Sequence, residues 1–152
     1  MLRPGGHLAL RNDIEAVIRT VPFISTLGVS VEEARAGQVV LRLPFKLESQ
    51  AAGGILHSGA MFTLGELAAA VAVGTHPKLQ KYTRLQRATR IQYKANSSKD
   101  VTAHAMITAE MVNAVIEGVK AHGKAEIEIP VNLMDGHGKD VGEVVSKITF
   151  RA

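Results

Sequence analysis

The sequence predicts an α+β domain in which one long apolar helix lies against five or six mostly antiparallel strands. Three observations lead there. Residues 58–74 carry a single ionisable side chain, Glu66, and Pro77 follows just beyond, as expected of a core helix with a defined stop. Residues 85–95 alternate in character, the period of a strand. Residues 124–133 and 141–150 are two β-rich runs around Asp135-Gly136-His137-Gly138, the signature of a hairpin.

The remaining elements follow in order. Asn12 and Glu15 have the spacing of a capping box. Ile14, Val17, Ile18 and Val21 then recur at helical spacing, and Pro22 ends this short N-terminal helix. Residues 27–34 and 38–45 read as strands joined by a turn at Ala36-Gly37. Residues 50–56 read as a loop, with Gly53-Gly54 giving it backbone freedom. In residues 85–95 strict alternation puts Leu85, Arg87, Thr89, Ile91 and Tyr93 on one face and Gln86, Ala88, Arg90, Gln92 and Lys94 on the other. Residues 101–108 form a further strand, and residues 110–121 a short outer helix stopped by Gly123. Residues 1–22 are an N-terminal extension of one domain spanning 1–152.

Composition narrows the function. At 152 residues the chain is long enough for one well-buried core. It has no cysteine, which removes disulfides, thiolate nucleophiles and thiolate metal sites. The net charge of +4 is spread along the chain and there is no tryptophan, so no stacking platform for single-stranded nucleic acid is expected. The first ten residues lack the apolar run of a signal peptide. The apolar helix is shorter than a membrane span and contains Glu66. A cytoplasmic protein that meets neither membrane nor nucleic acid is expected. The histidines show no ligand spacing, so no metal is expected.

The long helix has two faces. At about 100° per residue, Ala60, Met61, Leu67, Ala68 and Val71 cluster around Leu64 and belong against a sheet, while Glu66 falls about 200° away. Gly59, Phe62, Ala69, Ala70 and Val73 share the Glu66 side. That face has none of the other charges a solvated face carries, so it is expected to pack against a second surface, most simply another copy of the chain. A carboxylate there serves as base or nucleophile when ionised, or as an acid when neutral; a salt bridge or plain solvation are the alternatives. The helix start offers unpaired backbone N–H groups able to stabilise an oxyanion, and Ser58 there is suited to cap the helix. His57 and Glu66 lie half a helical revolution out of phase, so one substrate meets both only if they come from different subunits.

From Leu27 onward the chain resembles the hotdog-fold acyl-CoA thioesterases of the phenylacetate-degradation type. The resemblance rests on Leu27-Gly-Val29, Gly37 with the strand to Pro44, Gly54-Ile-Leu-His57-Ser-Gly-Ala60, Leu64-Gly-Glu66, Ile91-Gln-Tyr93-Lys-Ala95 and the Asp135-Gly136 hairpin. It implies a curved antiparallel sheet wrapped around the long helix, and homodimers, or dimers paired into a homotetramer, with composite sites between protomers. It further implies Glu66 as general base or nucleophile, the Ser58 N–H of the partner as carbonyl-polarising donor, and His57 and Gly59 as shapers of the turn. Phe62 would line the substrate site. Two departures stand out. Ser58 replaces the glycine that commonly follows the histidine, and Ala51 stands where relatives carry asparagine or glutamine, with Gln50 beside it. Gln50 would serve after a one-residue adjustment of the loop, and Gln86 is the candidate assisting group on the later strand. Arg84, Arg90, Lys94 and Lys99 are candidates for the coenzyme A phosphates. Coenzyme A would be part of the substrate, with no separate cofactor.

Three functions compete. Hydrolysis of an acyl-CoA leads. A non-catalytic acyl-CoA binding module on the same fold is the second, favoured by Ala51. Hydratase or dehydratase chemistry is the third and lacks a converging His and carboxylate around residues 50–66.

Overall fold

The computed structural model describes residues 7–152. Its centre is α3 (Ser58–Thr75), packed against a six-stranded antiparallel sheet. The strands are β1 (Ser30–Arg35), β2 (Gln38–Leu43), β5 (Thr83–Tyr93), β6 (Val101–Met106), β7 (Lys124–Asp135) and β8 (Asp140–Arg151). Their order across the sheet is β1-β2-β6-β7-β8-β5, leaving β1 and β5 as edges. A small separate hairpin, β3 (Gln50–Ala51) with β4 (Ile55–Leu56), precedes α3. Gly53 and Gly54 turn it at φ of 87° and 72°, a region that favours glycine.

The core is aliphatic. Leu64, Ala68 and Ala72 of α3 meet Leu41, Val101, Ile129, Leu133, Val144 and Phe150 of the sheet, all fully buried. Gly65 explains how closely helix and sheet approach: a Cβ there would lie 2.7 Å from Cβ of the buried Val144. α4 (Ala109–His122) packs on β7 and adds Val112 and Val115 to the same core. α3 is long and apolar enough to cross a membrane, yet half of it is buried inside the protein.

The N-terminal region departs from the expected pattern. α1 (His7–Arg19) begins before Asn12, so the Asn12/Glu15 box is no cap. Glu15 instead accepts the Val31 N–H at 3.1 Å and pairs with Arg11 and Arg19, tying α1 to β1. Pro22 does not close this helix but opens another, α2 (Pro22–Leu27), where its missing N–H costs nothing. Leu27 is therefore helical, and the strand begins after Gly28, whose φ of 73° ends α2.

A second departure lies in β5. A bulge between Gln86 and Ala88 breaks the alternation and adds one residue to the strand. Gln86 thereby joins Thr89 on the inner side: its amide reaches Thr89 Oγ1 at 3.0 Å and the hydroxyl of the fully buried Ser146.

Candidate active site

The turn into α3 is built from the backbone outward. His57 N–H donates to Ser49 C=O and Leu56 N–H to Ser97 C=O, each at 2.8 Å. The buried Ser49 hydroxyl in turn donates to Pro44 C=O at 2.7 Å. The expected cap, Ser58, is the first helical residue, and His57 is the cap. Its Nδ1 accepts the Gly59 N–H at 2.9 Å, so that nitrogen carries no proton. Ala60 and Met61 N–H groups both donate to the His57 C=O. Among the described residues the Ser58 N–H meets no acceptor. It is a preset donor at the positive end of an 18-residue helix. Tyr93, at the end of β5, donates its hydroxyl to the Ser58 C=O at 2.9 Å and pins this end of the helix to the sheet edge.

A cavity of about 420 Å³ opens beside the turn. His57, Gly59 and Gln50 line it together with Thr63, Glu48 and the α2 residues Phe23 and Leu27. Gln50, not Ala51, lines this space, because the β3–β4 pairing sets Gln50 opposite Leu56, next to the cap. Phe23, Glu48 and Thr63 are absent from a reading by motif, and Leu27 enters it only as part of Leu27-Gly-Val29, not as a site residue. Only the helical character of 22–27 would have brought Phe23 and Leu27 toward α3, and the β-rich residues after Gly28 mask it.

Glu66 lies elsewhere. Eight residues at 1.5 Å each put it about 12 Å along the axis from Ser58, and it does not line the His57 cavity. It is half-buried, as is Phe62 one turn earlier, and among the described residues it has no hydrogen bond or ion pair. Part of its surroundings corrects the expectation of an outer interface: Ala69 and Val73 are fully buried against this chain's own sheet. The residues of α3 left partly or fully open are Ser58, Gly59, Phe62, Thr63, Glu66, Leu67, Ala70, Val71 and Gly74, with Glu66 their one charge.

The basic candidates are dispersed. Arg90 pairs with Glu128 at 3.3 Å and Lys94 with Asp140 at 2.8 Å, both exposed. The Asp140 carboxylate raises the Lys94 pKa. A different basic group, Arg87, Lys124 and Arg151, lines a cleft of about 340 Å³ together with His122 and the carboxylate of Glu126. Lys124 sits opposite Arg151 only because the register shifts between Leu133 and Met134; plain counting outward from the 135–138 turn misses this pair, as it misses the bulge that re-aims Arg87. Among the described residues no three His, Asp or Glu side chains converge to hold a metal.

One family model, described as a domain of unknown function, DUF4442, matches residues 14–150. The chain belongs to the DUF4442 family. No curated protein matches the sequence. Among solved structures, PA5026 of Pseudomonas aeruginosa, described as a protein of unknown function and probable thioesterase, is 22% identical with a TM-score of 0.84, over 95% of this chain and 94% of that one. Zebra fish thioesterase superfamily member 2 is 18% identical with a TM-score of 0.70, over 93% and 98%. The E. coli PaaI protein of the phenylacetic acid degradation operon is 15% identical with a TM-score of 0.69, over 94% and 93%. At these identities the likeness is one of fold, and the DUF4442 chain has the hotdog fold that the sequence motifs predicted.

Proposed function

We propose that this DUF4442 protein is an acyl-CoA thioesterase acting as a dimer with two composite sites. One observation carries the reading: the half-buried, unpaired Glu66 and the acceptor-free Ser58 N–H lie on one helix, about 12 Å apart. That is too far for one carbonyl to meet both, but a two-fold axis beside α3 would bring Glu66 of one protomer to the partner subunit's Ser58. The edge strand β5 supports such pairing. It runs for 11 residues and exposes Leu85 and Tyr93, an edge that natural sheets rarely leave uncovered.

In the reaction, Glu66 takes a proton from a water whose oxygen attacks the thioester carbonyl carbon. The negative charge gathering on the carbonyl oxygen is met by the partner subunit's Ser58 N–H, with Gln50 and the His57-capped turn holding that donor in place. The C–S bond then breaks, and the proton passes from the Glu66 carboxyl to the leaving thiolate. Free acid and coenzyme A result, and no further cofactor is needed. Arg90 and Lys94, or the Arg87–Lys124–Arg151 cleft, are the groups available to the nucleotide phosphates. A reducing cytoplasm suits this cysteine-free chain.

The test is thiol release from a panel of acyl-CoAs by wild type and Glu66→Gln. Loss of the base should lower kcat by about 10²–10⁴; equal rates would overturn the assignment. Saturable binding without turnover would make the protein an acyl-CoA binding module, a reading that Ala51 favours and that the place of Gln50 weakens.

A further inference from the structure

A second cavity, of about 410 Å³, separates α1 from the far half of α3. Its size falls within the roughly 300–1,000 Å³ of small-molecule sites. Ile14 and Ile18 of α1 line it opposite Leu67 and Val71 of α3, and among the described residues charge appears in its lining only as Asp13 and Arg84. The uncharged polar side chains in its walls are already engaged. Thr75 Oγ1 accepts the Gly37 N–H at 2.9 Å and donates to Ala72 C=O at 3.0 Å, and the Gln80 amide donates to Gly74 C=O at 3.3 Å. Away from Asp13 and Arg84 the lining offers a ligand contact without hydrogen bonds, which suits a hydrocarbon.

Leu67 follows Glu66 on α3, about 100° round the helix from it, and Leu67 to Thr75 spans about 12 Å of helix. The cavity floor includes Gly74, where an added Cβ would meet nothing within 4 Å. A bulky side chain there would occupy part of the space. Val17 of α1 and Val21, just before α2, line the cavity although they are 66% and 43% exposed, which gives it an apolar rim.

We propose that this cavity receives the tail of an unbranched aliphatic acyl group, and that Gly74 and Val71 set the chain length the protein accepts. The proposal rests on the thioesterase reading for the position of the thioester beside Glu66. The tail then enters between α1 and α3 of the protomer that supplies Glu66, while the coenzyme leads away from it.

The test separates the tail site from hydrolysis. Binding of dodecanoyl-CoA and butyryl-CoA is measured by calorimetry on Glu66→Gln protein, with and without Gly74→Phe, and turnover of both is measured on the proteins that retain Glu66. The dodecanoyl chain should bind at least tenfold tighter than butyryl, and Gly74→Phe should erase that ratio. Val71→Phe provides the same reading if Gly74→Phe fails to fold, as judged by thermal unfolding. A chain-length ratio that both fillings leave intact, or no chain-length dependence at all, overturns the tail site even if hydrolysis is observed. Tight dodecanoyl-CoA binding that Gly74→Phe abolishes, without thiol release from wild type, supports the tail site and overturns hydrolysis.

Discussion

Ser58→Pro removes the backbone N–H from the proposed site, together with an exposed side-chain hydroxyl. Ser58 is the first residue of α3, the position at which proline is favoured because its missing N–H has no helical acceptor. The structure meets the other conditions as well. His57 has φ of −65° and ψ of 130°, an extended conformation of the kind that precedes proline, the Ser58 N–H has no acceptor to lose among the described residues, and the side chain is exposed. Restricting the unfolded chain should then stabilise the protein by about 0.4–1 kcal/mol. Catalysis should move the other way. Loss of one oxyanion donor costs about 10²–10³ in kcat, with a smaller change in KM because the donor acts mainly on the charge that develops in the transition state. Urea unfolding and thiol release on the same preparation give both numbers. A variant as active as wild type would refute the role of this N–H, and a stability loss of several kcal/mol would show that the N–H is bonded after all.

Two further outcomes follow from packing and charge. Gly65→Ala and Gly74→Ala make the same change in one helix, with a propensity gain of up to about 1 kcal/mol each, but only the first drives a methyl to within 2.7 Å of the buried Val144 Cβ. Gly65→Ala should therefore be less stable than Gly74→Ala by about 1–3 kcal/mol in denaturant unfolding; equal stabilities would contradict the seating of α3 on β8. The Phe45 N–H, aided by Arg42, holds the Asp100 carboxyl below its ordinary pKa. A group depressed in the folded state contributes stability above its unfolded pKa and loses it as pH falls through the folded value. Asp100→Asn should thus destabilise the protein at neutral pH and flatten the decline of stability below about pH 4, and an unchanged acid limb would exclude Asp100 from that decline.

The hydrophobic period revealed the long helix almost to the residue, because a charge-poor run bounded by a glycine turn and a proline has one local solution. The 124–150 hairpin was legible for a similar reason. What period cannot see is which neighbour covers a face. Ala69 and Val73 read as an outer interface from the wheel, and the curvature of the sheet buries them within the protomer. The six residues of α2 are too few to show a helical repeat, and the β-rich residues after Gly28 pull the reading toward strand. The bulge at Arg87 shifts the inner face of β5 by one residue without any glycine or proline to mark it. At the site, the glutamate and the turn were visible as motifs. The roles of His57 as cap and of Gln50 in place of Ala51 needed the β3–β4 pairing and the Ser49 bonds, contacts that no local spacing encodes.

The claim that one site needs two chains can be tested by mixing two inactive proteins. Glu66→Gln lacks the base and Ser58→Pro lacks the donor, so each homodimer should be silent. In a mixed dimer one site has lost both groups and the other keeps both, because Glu66 of one chain then meets the partner subunit's Ser58. Refolding equal amounts together should make about half the dimers mixed, each with one working site of two, and restore about a quarter of wild-type thiol release. Activity that stays at the level of the separate variants would contradict the composite site.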